Sequence, residues 1–192
     1  MLPEAPSALS HLIECCNSLS AEKLASDEHY FEKLYSGQSP KVLWIGCSDS
    51  RVVPEVFCKL DLGDIFVTRN VANSVNLDDH NSLSVVQYAV TVVGIREIVV
   101  CGHSDCGGVR GAINFESLSG DVATWVKPIH DIYVSNAEKF KDLKTELEKA
   151  ALLAKLNVKR VIDNLNSLEY IKAAKASENG LQIHGLFFHL ES

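Results

Sequence analysis

The chain has 192 residues, of which 46% are hydrophobic and 22% are charged. These proportions are ordinary for a globular protein, and the length suits one domain with a sizeable core. The formal net charge of -7 argues against nucleic acid or an anionic membrane surface as a partner, because both attract clustered Lys and Arg. No apolar run in the sequence approaches the length that spans a membrane.

The six cysteines are placed in a way that favours a reducing compartment. Cys15 and Cys16 are adjacent, Cys58 and Cys101 lie in apolar stretches, and the other two belong to a motif described below. Residues 1–20 contain no Lys or Arg, unlike a signal peptide with a basic n-region or an Arg-rich transit peptide. We therefore expect an intracellular, cytoplasmic protein.

Two amphipathic helices are predicted near the start of the chain. Apolar residues recur at helical spacing in 9–19 and again in 30–35, and the second helix should stop at Gly37. Their apolar faces require a cover. The pattern does not distinguish between the chain's own core and a partner subunit.

Three short apolar runs predict β-strands, at residues 41–46, 64–69 and 97–102. Their apolarity is continuous rather than alternating, which is typical of strands buried on both faces of a parallel sheet. Between the second and third runs, apolar residues at helical spacing predict a crossover helix that ends at Gly94. Strand, helix and strand in this order indicate an α/β fold with right-handed connections.

The second half of the chain is predicted to be mostly helical. Helical segments are expected at 112–115, at 122–140 with an interruption at Pro128, at about 141–165, and just before Asn179-Gly180, followed by a last strand at 181–190. No repeat or low-complexity linker divides the sequence.

The predicted architecture is thus a single α/β domain, 1–192, with a helical arm at 1–37 and an α/β core at 38–192. A central, mostly parallel sheet of four to five strands should be flanked by helices.

Two segments carry a set of side chains that zinc accepts as ligands. They are Cys47-Ser48-Asp49-Ser50-Arg51 and His103-Ser104-Asp105-Cys106-Gly107-Gly108. Both follow predicted strands, so they should meet at the carboxyl edge of the sheet, where ligands bind in open α/β folds. Three protein ligands with an exchangeable position are the catalytic arrangement of zinc, whereas structural sites close with four. The alternative is a buried cysteine and a hydrogen-bonded loop histidine.

These two segments resemble the signature of the β-class carbonic anhydrases, in a short fungal- or bacterial-like form. Further matches extend the resemblance over most of the chain: Gln38-Ser39-Pro40, Arg69-Asn70-Val71-Ala72-Asn73, Cys101-Gly102 and Ile183-His184-Gly185. The resemblance implies that Cys47, His103 and Cys106 hold Zn²⁺. It also implies reversible hydration of carbon dioxide to bicarbonate and a proton by a zinc-bound hydroxide.

The resemblance assigns a catalytic role to Asp49 and Arg51. Arg51 can hold Asp49 bidentately, keep it ionised and turn it from the metal, so that it accepts the proton of the zinc hydroxide. Without Arg51, Asp49 could itself become the fourth ligand and close the site. An ordinary salt bridge within the loop is the alternative.

Further site residues follow from the resemblance alone. The Gln38 amide and the Gly107 N–H are expected to stabilise charge that develops on carbon dioxide. Phe66 and Tyr88 match aromatic positions that shape the substrate pocket, although core packing predicts aromatic residues there equally well.

Trp44 and Arg69 match a subgroup of the family that has a second, regulatory bicarbonate site. The tyrosine expected at that site is replaced by Phe188, which removes one anion contact. Alternatively, Trp44 is a buried strand residue and Arg69 pairs with a nearby carboxylate or carbonyl.

Two other functions use the same residues. One is hydrolysis of carbonyl sulfide or carbon disulfide on the same scaffold, and the other is a non-catalytic zinc protein that senses bicarbonate. Asp49, Arg51 and Gln38 argue against the sensor, because a structural zinc site needs none of them. The expected assembly is a homodimer, or a tetramer, in which the N-terminal helices reach over a partner subunit.

Overall fold

The structure is a computed structural model that describes residues 7–191. The chain separates into two compact units, one ending at Gln38 and the other beginning at Ser39. The first unit contains helices α1 (Ala8–Ser26) and α2 (Tyr30–Tyr35), as the apolar spacing predicted. That these helices reach over a partner subunit stays a prediction.

The second unit is built on a four-stranded sheet in which all strands are parallel. The strands are β1 (Val42–Cys47), β2 (Ile65–Asn70), β3 (Glu97–His103) and β4 (Gln182–Phe188), in the order β2-β1-β3-β4. This confirms the predicted α/β class and the mostly parallel sheet of four to five strands flanked by helices.

Strand β1 lies between β2 and β3 and pairs with both of them. Val42 is in register with both Ile65 of β2 and Glu97 of β3, and at the other end Cys47 is in register with Asn70. Every residue from Leu43 to Cys47 is buried, which explains the continuous apolarity of this run.

Seven helices surround the sheet within the described part of the second unit. They are α3 (Pro54–Phe57), α4 (His80–Tyr88), α5 (Gly107–Ile113), α6 (Gly120–Ser135), α7 (Ala137–Phe140), α8 (Glu146–Ser167) and α9 (Glu169–Ala176). The predicted crossover helix is α4, which continues as a π-helical turn and ends at Gly94, whose φ of +83° suits a glycine. Across residues 7–191, each helix is too short or too polar to cross a bilayer.

The expected interruption at Pro128 is wrong, because α6 continues through the proline to Ser135. A proline inside a helix costs about 3 kcal/mol. Val126 and Ile129, on either side of it, are completely buried. Burial of such side chains stabilises by roughly 1.5–3 kcal/mol each, which offsets the cost of the proline.

Apolar side chains form two clusters in the second unit. The first gathers sheet residues such as Leu43 and Ile98 with Val161 of α8. The second surrounds Cys47 and includes Leu153, also from α8. Helix α8 therefore contributes to both clusters and connects the core of the sheet to the surroundings of the cysteines.

Replacing Leu153 by Ala should destabilise the protein by about 2–5 kcal/mol, because a fully buried leucine would leave a cavity in the second cluster. The matched control is Leu147→Ala in the same helix, where the leucine is 57% exposed and the change should stay within about 0.5 kcal/mol. Urea unfolding measures both. Equal midpoints for the two variants would contradict the assignment of the core.

Candidate metal centre

The parallel sheet brings Cys47 and His103 to the same edge. Cys47 is the last residue of β1 and His103 is the last residue of β3, and these strands are neighbours. Cys106 follows after a turn in which Asp105 adopts a φ of +53°, and it stands directly before α5. All three side chains therefore lie at the carboxyl edge of the sheet.

The donor atoms of these three residues lie within 4.8 Å of one another, and the two sulfurs are 3.8 Å apart. All three residues are buried. His103 Nδ1 is 2.8 Å from the Ser104 carbonyl oxygen, so Nδ1 carries the proton and Nε2 keeps its lone pair. Among the described residues, Nε2 finds no hydrogen-bond partner.

This donor set fits a metal ion. A buried polar atom without a partner costs roughly 1–3 kcal/mol, which a bound cation would remove. Sulfur and imidazole nitrogen are the ligands that zinc takes in proteins, and they are poor ligands for magnesium or calcium.

The two sulfurs strongly influence each other's ionisation. The hydrogen bond between the two sulfurs lowers the pKa of Cys47 and raises the pKa of Cys106, because the thiolate of one accepts from the thiol of the other. Burial is the largest influence on the pKa of His103 and lowers it, but the Cys47 sulfur, the Ser104 carbonyl and the Asp49 carboxylate together raise it by more. One of the two thiols therefore loses its proton readily. A divalent cation would be needed to stabilise a second thiolate beside the first.

Asp49 is held by Arg51 in a bidentate ion pair. Arg51 Nε donates to Oδ1 at 3.0 Å and Nη2 donates to Oδ2 at 2.8 Å. The guanidinium holds the pKa of Asp49 well below its usual range, and the carboxylate in turn raises the pKa of Arg51. Asp49 Oδ2 is 4.0 Å from His103 Nε2. An ionised carboxylate thus lies beside the three donor atoms.

The sequence did not predict that the ion pair of Asp49 and Arg51 continues into a series of alternating charges. Arg51 Nη1 also donates to Asp105 at 3.3 Å, Asp105 accepts from Arg110 at 3.0 Å, and Arg110 donates to Glu146 at 3.3 Å. Asp105 lies within the second metal segment, but nothing in its local pattern indicates which cation it meets. These side chains are substantially exposed, so each pair contributes little to stability.

The aromatic residues predicted for the substrate pocket lie away from the three donors within one chain. The rings of Phe66 and Tyr88 stack with centroids 6.0 Å apart, and Phe66 packs on the first apolar cluster. Phe66 is four residues before Asn70, the partner of Cys47, and is therefore about 13 Å away along the strand. Their place in a substrate pocket stays a prediction.

Two other predicted substrate residues lie at element boundaries. Gly107 is the first residue of α5, next to Cys106. Gln38 is exposed and ends the first unit. Their contacts with substrate stay predictions.

Arg69 braces the backbone of the first metal segment. Its Nε donates to the Cys47 carbonyl at 2.7 Å and its Nη2 donates to the Asp49 carbonyl at 2.5 Å. Trp44 is buried near Phe57, and the Phe57 ring stacks on Phe188. These contacts agree with the structural interpretation of Trp44 and Arg69, and a second bicarbonate site there stays a prediction.

Comparison with known proteins agrees with this geometry. The family model described as carbonic anhydrase matches residues 42–192. A carbonic anhydrase of Emericella nidulans is 40% identical over 89% of this chain and 75% of that protein. The carbonic anhydrase of Candida albicans is 36% identical over 79% of this chain, which spans only 54% of that longer protein.

Among solved structures, one of two tetrameric β-carbonic anhydrases from Sordaria macrospora superposes with a TM-score of 0.93 at 37% identity, covering 96% of this chain and 93% of that one. The chain belongs to the β-class carbonic anhydrases, a family of enzymes whose general reaction is the hydration of carbon dioxide. The family and the enzyme class predicted from the motifs are thereby confirmed.

Gly108→Ala should destabilise the protein by about 1–3 kcal/mol through overpacking. A methyl group at this position would lie 2.6 Å from Val71 Cγ1 and 3.2 Å from Ala72 Cβ. At Gly107 a methyl group meets nothing within 4 Å, so Gly107→Ala is the matched control and should be neutral or slightly stabilising. Thermal unfolding measures the stability of both variants. If Gly107→Ala lost as much stability as Gly108→Ala, the close packing of Gly108 on Val71 and Ala72 would be contradicted.

Proposed function

We propose that this protein catalyses the reversible hydration of carbon dioxide to bicarbonate and a proton, with a zinc ion held by Cys47, His103 and Cys106. One observation carries the proposal: three buried soft donors converge within 4.8 Å beside a carboxylate that is locked by an arginine. Family membership supports the reaction. Three protein ligands suit a catalytic site, since structural zinc sites use four.

The chain's own residues would prepare this centre for catalysis. When bound, zinc supplies Lewis acidity that brings the pKa of a water molecule to about 7. Asp49, ionised and adjacent, would accept a hydrogen bond from that water and orient it. Both oxygens of Asp49 are engaged by Arg51, which keeps the carboxylate from joining the ligand set.

Carbon dioxide develops negative charge on oxygen as it is attacked, so nearby hydrogen-bond donors stabilise the transition state. The Gly107 N–H is suited to this role, because the first N–H groups of a helix have no partner within the helix. We assign the Gln38 amide a similar role, and Phe66 and Tyr88 the wall of the pocket, on the resemblance alone.

We further propose a homodimer, or a tetramer, in the cytoplasm. The Sordaria macrospora relative, which is tetrameric, supports an oligomer. The division into a helical arm at 1–37 and an α/β core at 38–192 is supported by the separation of the chain at Gln38.

Stopped-flow measurement of carbon dioxide hydration tests the proposed reaction directly. Hydration by the zinc-loaded protein is expected. Sulfide release from carbonyl sulfide or carbon disulfide without hydration of carbon dioxide would contradict it and would assign the scaffold to the alternative substrates.

Cys106→Ser should abolish activity and weaken zinc binding by more than the roughly 10- to 100-fold that loss of an outer-shell partner causes. A serine hydroxyl ionises far less readily than a thiol and is a poor zinc ligand. Cys101→Ser is the control, because Cys101 is also a buried cysteine, but burial raises its pKa to about 11 and it lies outside the donor cluster. Metal analysis checks both variants. Full zinc occupancy in Cys106→Ser would refute the ligand assignment.

Arg51→Ala should retain zinc but lower turnover at pH 7 by about 10- to 100-fold. Without the guanidinium the pKa of Asp49 rises towards about 3.9, which is still far below 7. Asp49 therefore stays ionised, and raising the pH above 7 should not restore the activity, because orientation rather than protonation is lost.

The control for this variant is Arg110→Ala, which removes a partner of Asp105 but leaves the bidentate pair intact. Its turnover should stay close to that of the parent. Unchanged turnover in Arg51→Ala, or an equal loss in Arg110→Ala, would remove the pair from the mechanism.

A further inference from the structure

The turn after β2, Val71–Asn73, contains two residues in an unfavourable backbone conformation. Ala72 has a φ of 60° and Asn73 a φ of 44°, in the left-handed region that favours glycine. Such residues cost of order 1–3 kcal/mol each and persist only where their surroundings hold them. Both are buried. The contacts that hold this turn are therefore structurally important.

The holding contact at Ala72 comes from helix α8. Asn157 is completely buried, and its Nδ2 donates to the Ala72 carbonyl at 2.8 Å. Its Oδ1 accepts from Nε and Nη2 of Arg160 at 3.1 and 2.9 Å. Arginine offers only donors, so the amide oxygen of Asn157 must face Arg160 and its NH₂ must face Ala72.

Arg160 is tied to the same loop. It donates to Asn76 Oδ1 at 2.8 Å and to Ser74 Oγ at 3.2 Å. Both atoms lie a few residues beyond Ala72. Arg160 thus fixes the orientation of the Asn157 amide and the position of the loop that the amide holds.

The turn lies against both cysteine segments of the metal centre. Asn70 is the register partner of Cys47, and its carbonyl accepts from Ser48 N at 2.9 Å. Ala72 shares one buried cluster with Cys47 and Cys106, and a methyl group on Gly108 would lie 3.2 Å from its Cβ.

The Cys47 sulfur accepts from the Asp49 amide at 3.4 Å, a bond within the metal segment itself. The turn that Asn157 holds contacts the metal centre instead by packing, because Ala72 is buried in the same cluster as both sulfurs.

We propose that Asn157, oriented by Arg160, is a positioning residue for the metal centre: it fixes the Ala72 turn against the Cys47 and Cys106 segments and thereby the positions of the two sulfurs. The inference rests on the proposed zinc ligation by Cys47, His103 and Cys106. A turn that packs on both cysteine segments restrains the distance between their sulfurs, and so the geometry that a cation meets. Loss of outer-shell partners typically weakens metal binding 10- to 100-fold.

The chain offers a matched control on the same helix. Asn164, seven residues further along α8, donates its Nδ2 to the Val75 carbonyl at 2.8 Å. This is the same kind of bond from the same helix to the same loop, but it ends three residues beyond Ala72. Each variant loses one side-chain bond from α8 to this loop, and only Asn157 should act on the metal centre.

The test compares Asn157→Asp with Asn164→Asp in the full chain. Aspartate keeps the size of asparagine and can still accept from Arg160, but the atom that faces the Ala72 carbonyl becomes an acceptor and the bond is lost. We expect zinc affinity, measured by competition with a chelator, to fall about 10- to 100-fold in Asn157→Asp and to stay near the parent value in Asn164→Asp.

Cobalt(II) bound in place of zinc provides a spectroscopic readout. A change in the position of the Cys47 sulfur alters the overlap of its lone pairs with the metal, so the thiolate-to-cobalt charge-transfer band should shift in Asn157→Asp. The band should not shift in Asn164→Asp. Thermal unfolding of both variants shows whether their stabilities are comparable.

The outcomes separate this inference from the proposed function. A parent protein that binds no zinc overturns both. A parent that binds zinc, with Asn157→Asp equal to it in affinity and spectrum, overturns the inference alone. So do equal losses of affinity in the two Asp variants, since they would show a structural role only.

If Asn157→Asp fails to fold, Arg160→Met provides a second test of the positioning role. Methionine fills a similar volume without a buried charge, and it frees the Asn157 amide to rotate away from Ala72. A loss of zinc affinity together with a shift of the cobalt band supports the inference, and parent-like values for both overturn it.

Discussion

The metal centre depends on the parallel pairing of β1 with β3. Parallel neighbours end at the same edge of the sheet, so the residues that terminate them meet there whatever their separation in the chain. Cys47 and His103 are these terminal residues, and the tight turn after β3 returns Cys106 to the same place. Strand pairing and this turn together bring the donor atoms of two distant segments close to one another.

Burial makes this cluster receptive to a cation. The two sulfurs are 3.8 Å apart, and a hydrogen bond between them lowers the pKa of one thiol and raises the pKa of the other. His103 Nε2 is buried beside them without a partner among residues 7–191. A divalent ion would stabilise the negative charge on the sulfurs and give His103 Nε2 a partner. Arg51 meanwhile binds both oxygens of the neighbouring Asp49 carboxylate.

Helix α8 connects the stability of the core to this centre. It packs against the sheet in the first apolar cluster and around the cysteines in the second. The same helix holds the strained turn at Ala72 through Asn157. Packing and ligand geometry are thus fixed by one element, so changes on its buried face affect both.

The sequence by itself determined the order of the four strands along the chain, the crossover helix α4, the parallel sheet and the family, but it did not predict α3. Buried strands, crossover helices and ligand spacing leave local patterns, and Gly94 marked the end of its helix correctly. Only the tertiary structure decided that α6 continues through Pro128, that Arg69 braces the first metal segment, and that Asn157 meets Ala72. These outcomes depend on which faces pack together across the fold, and local spacing carries no record of that.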